Sequence, residues 1–194
     1  MIQSEVITCI NSAWIIGDDG WCDQALRLAS PNFNARPLPG DISLLVIHNI
    51  SLPAGQFGGT AITDLFQNNL DCNAHESFES LRDIKVSSHF LIRRDGSLLQ
   101  FVSTLDRAWH AGVSSFQGRD ACNDFSIGIE LEGTDDLPFA PAQYDCLGLL
   151  TQALLNHFSI THIVGHDEIA PGRKTDPGPC FEWDWYRQRI SGSA

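Results

Sequence analysis

The stretch Ile42 to Ile50, ISLLVIHNI, decides the fold. It is a nearly unbroken apolar run with β-branched members and no helical period, which reads as a strand buried on both faces of a sheet. His48 sits near its C-terminal end, where a rigid strand holds a side chain in place. Upstream, Met1 to Gly17 carries Glu5, and no lysine or arginine precedes Arg27. A secretory leader needs a basic start and a continuous apolar core, so the chain is expected to remain in the cytoplasm.

Downstream lies a long excursion, Ser51 to Asp83, with glycines at 55, 58 and 59 and a predicted short helix around Ala61 to Gln67. The glycines lead to the expectation that this segment moves over a cleft. Phe90 to Arg93 and Leu98 to Val102 flank Asp95-Gly96, a strong hairpin signal. Ser126 to Glu132 alternates, with Ile127, Ile129 and Leu131 on one face and Ser126, Gly128, Glu130 and Glu132 on the other. Pro141 suits the first turn of a helix and opens an amphipathic one to about His157. A strand over His162 to Val164, a Gly/Pro-rich stretch and a helix over Phe181 to Arg189 follow. Residues 191–194 read as a disordered tail. This order predicts an α/β protein, one domain over 1–194, with a central mixed β-sheet flanked by helices.

The composition excludes several classes. With 12 basic against 24 acidic residues the net charge is −12, a poor field for binding nucleic acid. Lys85 and Lys174 are the only lysines, so an anion must be met by locally placed groups. No apolar stretch approaches the ~18 residues of a membrane span. The six cysteines are scattered without a C-x-x-C pair, which in a cytosolic chain favours reduced, mostly buried thiols. G-x-S-x-G is absent, and no cysteine stands in a nucleophile motif.

Seven histidines invite a search for a metal site. His162 and His166 cannot share an ion if extended, because four extended steps span roughly 13 Å and zinc ligands sit ~2.1 Å from the metal. A site must therefore be assembled from distant segments. His48 is either a first ligand or a core histidine satisfied by hydrogen bonds. His166 is either a ligand just past a strand or a capping residue. Asp176, beside Pro177, is either a ligand or an Asx-turn. Lys174, two residues earlier, would point with Asp176 in an extended segment. Glu130 is either catalytic, with bare Gly128 beside it leaving room for a ligand, or a solvent-facing strand carboxylate.

The blocks LLVIHNISLPAGQFGG, SSHFLIRRDGSLLQFV, RAWHAGVSSFQGR, CNDFSIGIELEGTD and GHDEIAPGRKTDPGP, spread in order from Trp14 to Tyr186, resemble the 1,6-anhydro-N-acetylmuramyl-L-alanine amidases of bacterial cell-wall recycling. These are cytosolic zinc amidases related in fold to the peptidoglycan recognition proteins. The resemblance implies Zn2+ held by His48, His166 and Asp176, with Glu130 and Lys174 as catalytic residues. It implies Asn49 and Trp109 as substrate-binding residues, although Trp109 reads equally as a core aromatic, with a small muropeptide as substrate and a monomer expected. His75, His89 and His110 read as structural or cleft-lining. Ala121 departs from the family, which often carries a basic residue there. If that residue holds a stem-peptide carboxylate, this chain either uses another group, such as Arg119, or binds the peptide less selectively. A non-catalytic peptidoglycan-binding module and an exported amidase are the alternatives. Loss of a ligand would mark the first and a leader the second.

Overall fold

The computed structural model describes residues 13–191. Residues 1–12, which weigh most in the leader reading, and 192–194 of the expected tail lie outside it. The described strands are β1 (Leu26–Arg27), β2 (Phe33–Ala35), β3 (Leu44–Ile50), β4 (Phe90–Ile92), β5 (Leu98–Gln100), β6 (Asp106–Ala108), β7 (Ser115–Phe116), β8 (Arg119–Asp120), β9 (Ser126–Glu132) and β10 (His162–Gly165). The helices are α1 (Ala61–Phe66), α2 (Pro141–His157), α3 (His166–Ile169) and α4 (Trp183–Ser191).

Six strands form one sheet in the order β1-β5-β4-β9-β3-β10. β4 and β5 pair antiparallel and every other neighbouring pair is parallel, so the sheet is mixed as expected. β3 has partners on both sides, which is why Leu44 through His48 are all buried. It starts at Leu44 and not at Ile42, because the ladder to β9 and β10 begins there.

The period-2 alternation divides two packed layers. On one face Leu45, Ile47, Phe90, Ile92, Ile127, Ile129 and Leu131 pack against Leu147, Leu150 and Leu154 of α2 and Tyr186 of α4. On the other, Leu91 and Leu99 pack under Ile62, Leu65 and Phe66 of α1, while Leu44 and Val46 pack with Ala111, Phe125, Val164 and Ile169. Fully burying each such side chain contributes roughly 1.5–3 kcal/mol.

α2 spans the expected residues; Gln143 accepts from the Ala140 backbone N–H at its start. α4 begins two residues late and includes Ser191, assigned above to the tail. Phe181 instead lies in a turn, its N–H bonded to Gly178 O, and its ring enters the core beside Tyr144. The excursion after β3 is anchored at Gly58, whose N–H donates to Glu132 Oε1 at 2.7 Å. That carboxylate also meets Arg93 and the Arg94 N–H. The five described cysteines are free thiols, and Cys22, Cys122 and Cys146 are buried.

Candidate functional site

His48 and Glu130 are level with each other across the parallel pair β3–β9. Adjacent strands lie ~4.8 Å apart, so the two side chains leave one face side by side. β10 pairs with β3 on its other edge, with Gly165 level with Ile47. The chain turns into α3 at that point, and Glu168 Oε1 accepts the Gly165 N–H at 2.9 Å. This turn delivers His166 beside His48. The third segment is the turn at Asp176, fixed by a bond from the Asp167 N–H to Asp176 O. Asn49 Nδ2 holds the same turn, donating to Pro177 O at 3.1 Å.

Three atoms converge where these segments meet. His48 Nδ1 lies 2.9 Å from His166 Nδ1, and both lie near Asp176 Oδ2, at 3.1 and 3.0 Å. His166 Nε2 is 3.1 Å from Ala111 O. A carbonyl only accepts, so that nitrogen carries the ring proton and Nδ1 presents its lone pair to the centre. Two imidazole nitrogens and a carboxylate oxygen in a triangle ~3 Å on a side fit a cation placed ~2 Å from each. The residues present thus match a zinc-type donor set with three protein ligands. His162 takes no part: its ring nitrogens meet Gln117 and Thr161.

Burial shapes the electrostatics. It pushes His48 down to about 4, with His166 and Lys174 adding to the effect and Asp176 opposing it. A neutral imidazole is the form that ligates metal. Burial, together with Asp176, pushes Glu130 well above the usual carboxylate range, while Lys174 pulls it back. Glu130 Oε2 is buried and has no hydrogen-bond partner among the described residues, and buried polar atoms are rarely left so. A cavity of about 310 Å³ opens over these groups, and Asn49, Trp109 and Lys174 line it with the converging residues.

All seven site residues expected from the sequence therefore border one cavity. Asn49 differs in detail, since its amide nitrogen is already engaged by Asp135 Oδ1 at 2.7 Å and by Pro177 O. Trp109 is half-buried, with Nε1 donating to Asn34 Oδ1. Two expectations are corrected. The space beside Gly128 is not left for a ligand: a Cβ there would meet the His110 ring at 2.6 Å. The face carrying Glu130 is not solvated either, because Ser126, Gly128 and Glu132 are buried. Arg119 is paired to Asp41 at 2.6 Å and stacked on Phe125, away from the cavity. Sequence reasoning missed the support given by Ala111 O and Arg173, whose Nη2 donates to Ala111 O at 2.7 Å. A backbone carbonyl leaves no sequence signal.

Known proteins resemble this chain in sequence and fold. The profile of the N-acetylmuramoyl-L-alanine amidase family matches residues 38–179. The chain is 51% identical over 179 residues to the 1,6-anhydro-N-acetylmuramyl-L-alanine amidase AmpD of Citrobacter freundii, covering 91% of this chain and 96% of that protein. A crystal structure of an AmpD selenomethionine derivative superposes with a TM-score of 0.88 at 52% identity, covering 89% of this chain and 98% of that one. The Escherichia coli amidase AmiD, solved with anhydro-N-acetylmuramic acid-L-Ala-D-γ-Glu-L-Lys, matches with a TM-score of 0.58 at 29% identity, covering 91% of this chain and 65% of that one. With a family profile spanning most of its length and relatives matched nearly end to end, the chain belongs to the N-acetylmuramoyl-L-alanine amidase family.

Proposed function

We propose that this amidase is a cytoplasmic, monomeric zinc hydrolase of cell-wall recycling. It cuts the amide bond between 1,6-anhydro-N-acetylmuramic acid and L-alanine in small muropeptides. The observation that carries the reading is the meeting of His48 Nδ1, His166 Nδ1 and Asp176 Oδ2 within about 3 Å, next to the unpaired Glu130 carboxylate oxygen. AmpD relatives of similar length and the muropeptide bound to AmiD support the substrate class. Among the described residues no helix is long and apolar enough to cross a membrane.

His48, His166 and Asp176 would hold the zinc, which when bound acidifies water to a pKa of about 7 and polarises a carbonyl. Glu130 takes a proton from the attacking water and returns it to the departing L-alanine nitrogen. A carboxyl whose affinity for protons is raised by burial suits both halves of that transfer. The Lys174 ammonium, on the same cavity wall, stabilises the oxyanion that develops on the muramyl carbonyl. Trp109 offers an aromatic face to the sugar–peptide junction. Asn49 keeps the Asp176 turn in position through Pro177 and lines the cavity on the substrate side.

Metal content tests the reading. Protein purified without added metal is expected to carry about one zinc per chain, and chelation is expected to abolish hydrolysis until zinc is restored. Metal-free protein that does not bind zinc, or whose turnover ignores it, contradicts the mechanism.

A further inference from the structure

The segment Trp109–Ala111 runs beneath both histidines without giving an atom to the converging triangle. The His110 ring occupies the space that Gly128 leaves on β9, edge-on to His48 with ring centroids 5.0 Å apart. His110 Nδ1 lies 2.9 Å from His48 Nε2, and His110 Nε2 lies 3.1 Å from Ser126 Oγ. Two neutral imidazoles share a hydrogen bond only when one nitrogen carries the proton and the other the lone pair. If His48 presents the Nδ1 lone pair to a metal, its proton is on Nε2, and His110 Nδ1 must accept it. His110 then keeps its own proton on Nε2, facing Ser126 Oγ.

The neighbouring residue serves the other ligand in the same way, since Ala111 O takes the Nε2–H of His166. The segment is itself fixed. Asn123 Oδ1 accepts the N–H groups of His110 and Ala111 at 3.2 and 2.8 Å, and Arg173 Nη2 donates to Ala111 O and Val113 O at 2.7 and 2.6 Å.

We infer that His110 is a positioning residue for the metal. It accepts the Nε2–H of His48, fixes that ring's tautomer and orientation, and makes Trp109–Ala111 a common support for both histidine ligands. This rests on the reading that His48, His166 and Asp176 hold a divalent cation. Partners of this kind govern metal affinity about 10–100-fold, so the effect is large enough to measure without reference to turnover.

The test compares His110→Leu, which fills similar space without an acceptor, with His110→Asn, whose amide oxygen falls near the Nδ1 position. Zinc affinity is measured by competition with a chelator of known strength, and metal-free melting is recorded alongside. His110→Leu is expected to weaken zinc about 10–100-fold, and His110→Asn to recover most of the loss. A purely structural role would move melting and leave affinity alone. Equal affinity in wild type and His110→Leu overturns the inference, and so does an Asn variant as weak as the Leu variant. Imidazole nitrogen shifts of the zinc-loaded wild type report the same point without a substitution. His48 is expected to be protonated at Nε2 and not at Nδ1, and the reverse overturns the inference. A wild-type chain that binds no zinc removes the metal site and this inference together, whereas normal zinc binding with an indifferent His110→Leu removes this inference alone.

Discussion

Gly128→Ala perturbs the site from behind without touching a ligand. The backbone at this strand position accepts alanine, so the cost comes from contact alone. The new Cβ would lie 2.6 Å from Cγ and Nδ1 of His110 and 2.9 Å from Cε1. Ordinary carbon contacts start at about 3.5 Å, so the ring must retreat by on the order of 1 Å. A shift of that size takes the 2.9 Å bond to His48 Nε2 out of its aligned geometry, where little of it remains. Overpacking of this kind costs about 1–3 kcal/mol, and the lost hydrogen bond adds about 1 kcal/mol. In a chain of this size each kcal/mol lowers Tm by roughly 2–4 °C, so metal-free Gly128→Ala is expected to melt about 5–15 °C below wild type. Its zinc affinity is expected to fall as well. The clash needs the ring, so Gly128→Ala in a His110→Ala background is expected to cost much less, giving a strongly non-additive double-mutant cycle. A single variant that melts within about 1 °C of wild type, or an additive cycle, refutes the reasoning.

Other expectations concern the reacting groups. Glu130→Gln keeps the shape and the zinc but cannot take a proton, so kcat is expected to fall about 10²–10⁴-fold at unchanged metal content; near-normal turnover removes Glu130 from its role. Burial raises the Glu130 carboxyl and the proposed mechanism uses its ionised form as the base, so kcat/KM is expected to fall as pH drops through a midpoint above the ordinary glutamate value of about 4.3. Full activity maintained down to pH ~4.5 contradicts this. Lys174→Met is expected to lower kcat about 10²–10³-fold, as for loss of an oxyanion donor, while metal content holds. A change confined to KM would make Lys174 a binding group only.

The strand scaffold was legible because its signals are local. ISLLVIHNI and the alternation at Ser126 to Glu132 carry the periods of β3 and β9, and Asp95-Gly96 marks the β4–β5 turn. The meeting of His48 with His166 and Asp176 was not legible from periodicity. It depends on β10 pairing with β3, a contact across 118 residues, and the family resemblance supplied it. Gly128 did carry a usable signal, because a glycine in a strand interior marks a close approach. The approaching group is His110 and not a ligand, and only packing reveals that. Arg119 shows the opposite failure: its position in sequence made it a candidate, while its bond to Asp41 and its stacking on Phe125 direct it elsewhere. Cavity-lining cations at Lys85 and Arg82 lie on a neighbouring surface hollow formed by residues of the Ser51 excursion and the segment after it.

Hydrolysis of a defined anhydromuramyl tripeptide by the zinc-loaded protein, followed by mass spectrometry, tests zinc amidase action most directly. The expected result is loss of the intact fragment and equal release of 1,6-anhydro-N-acetylmuramic acid and a tripeptide with a free L-alanine amino group. Both are expected to be slowed about 10²–10⁴-fold with Glu130→Gln and to be absent after chelation. An intact fragment in the presence of zinc-loaded wild-type protein, or cleavage that persists without zinc, would contradict it.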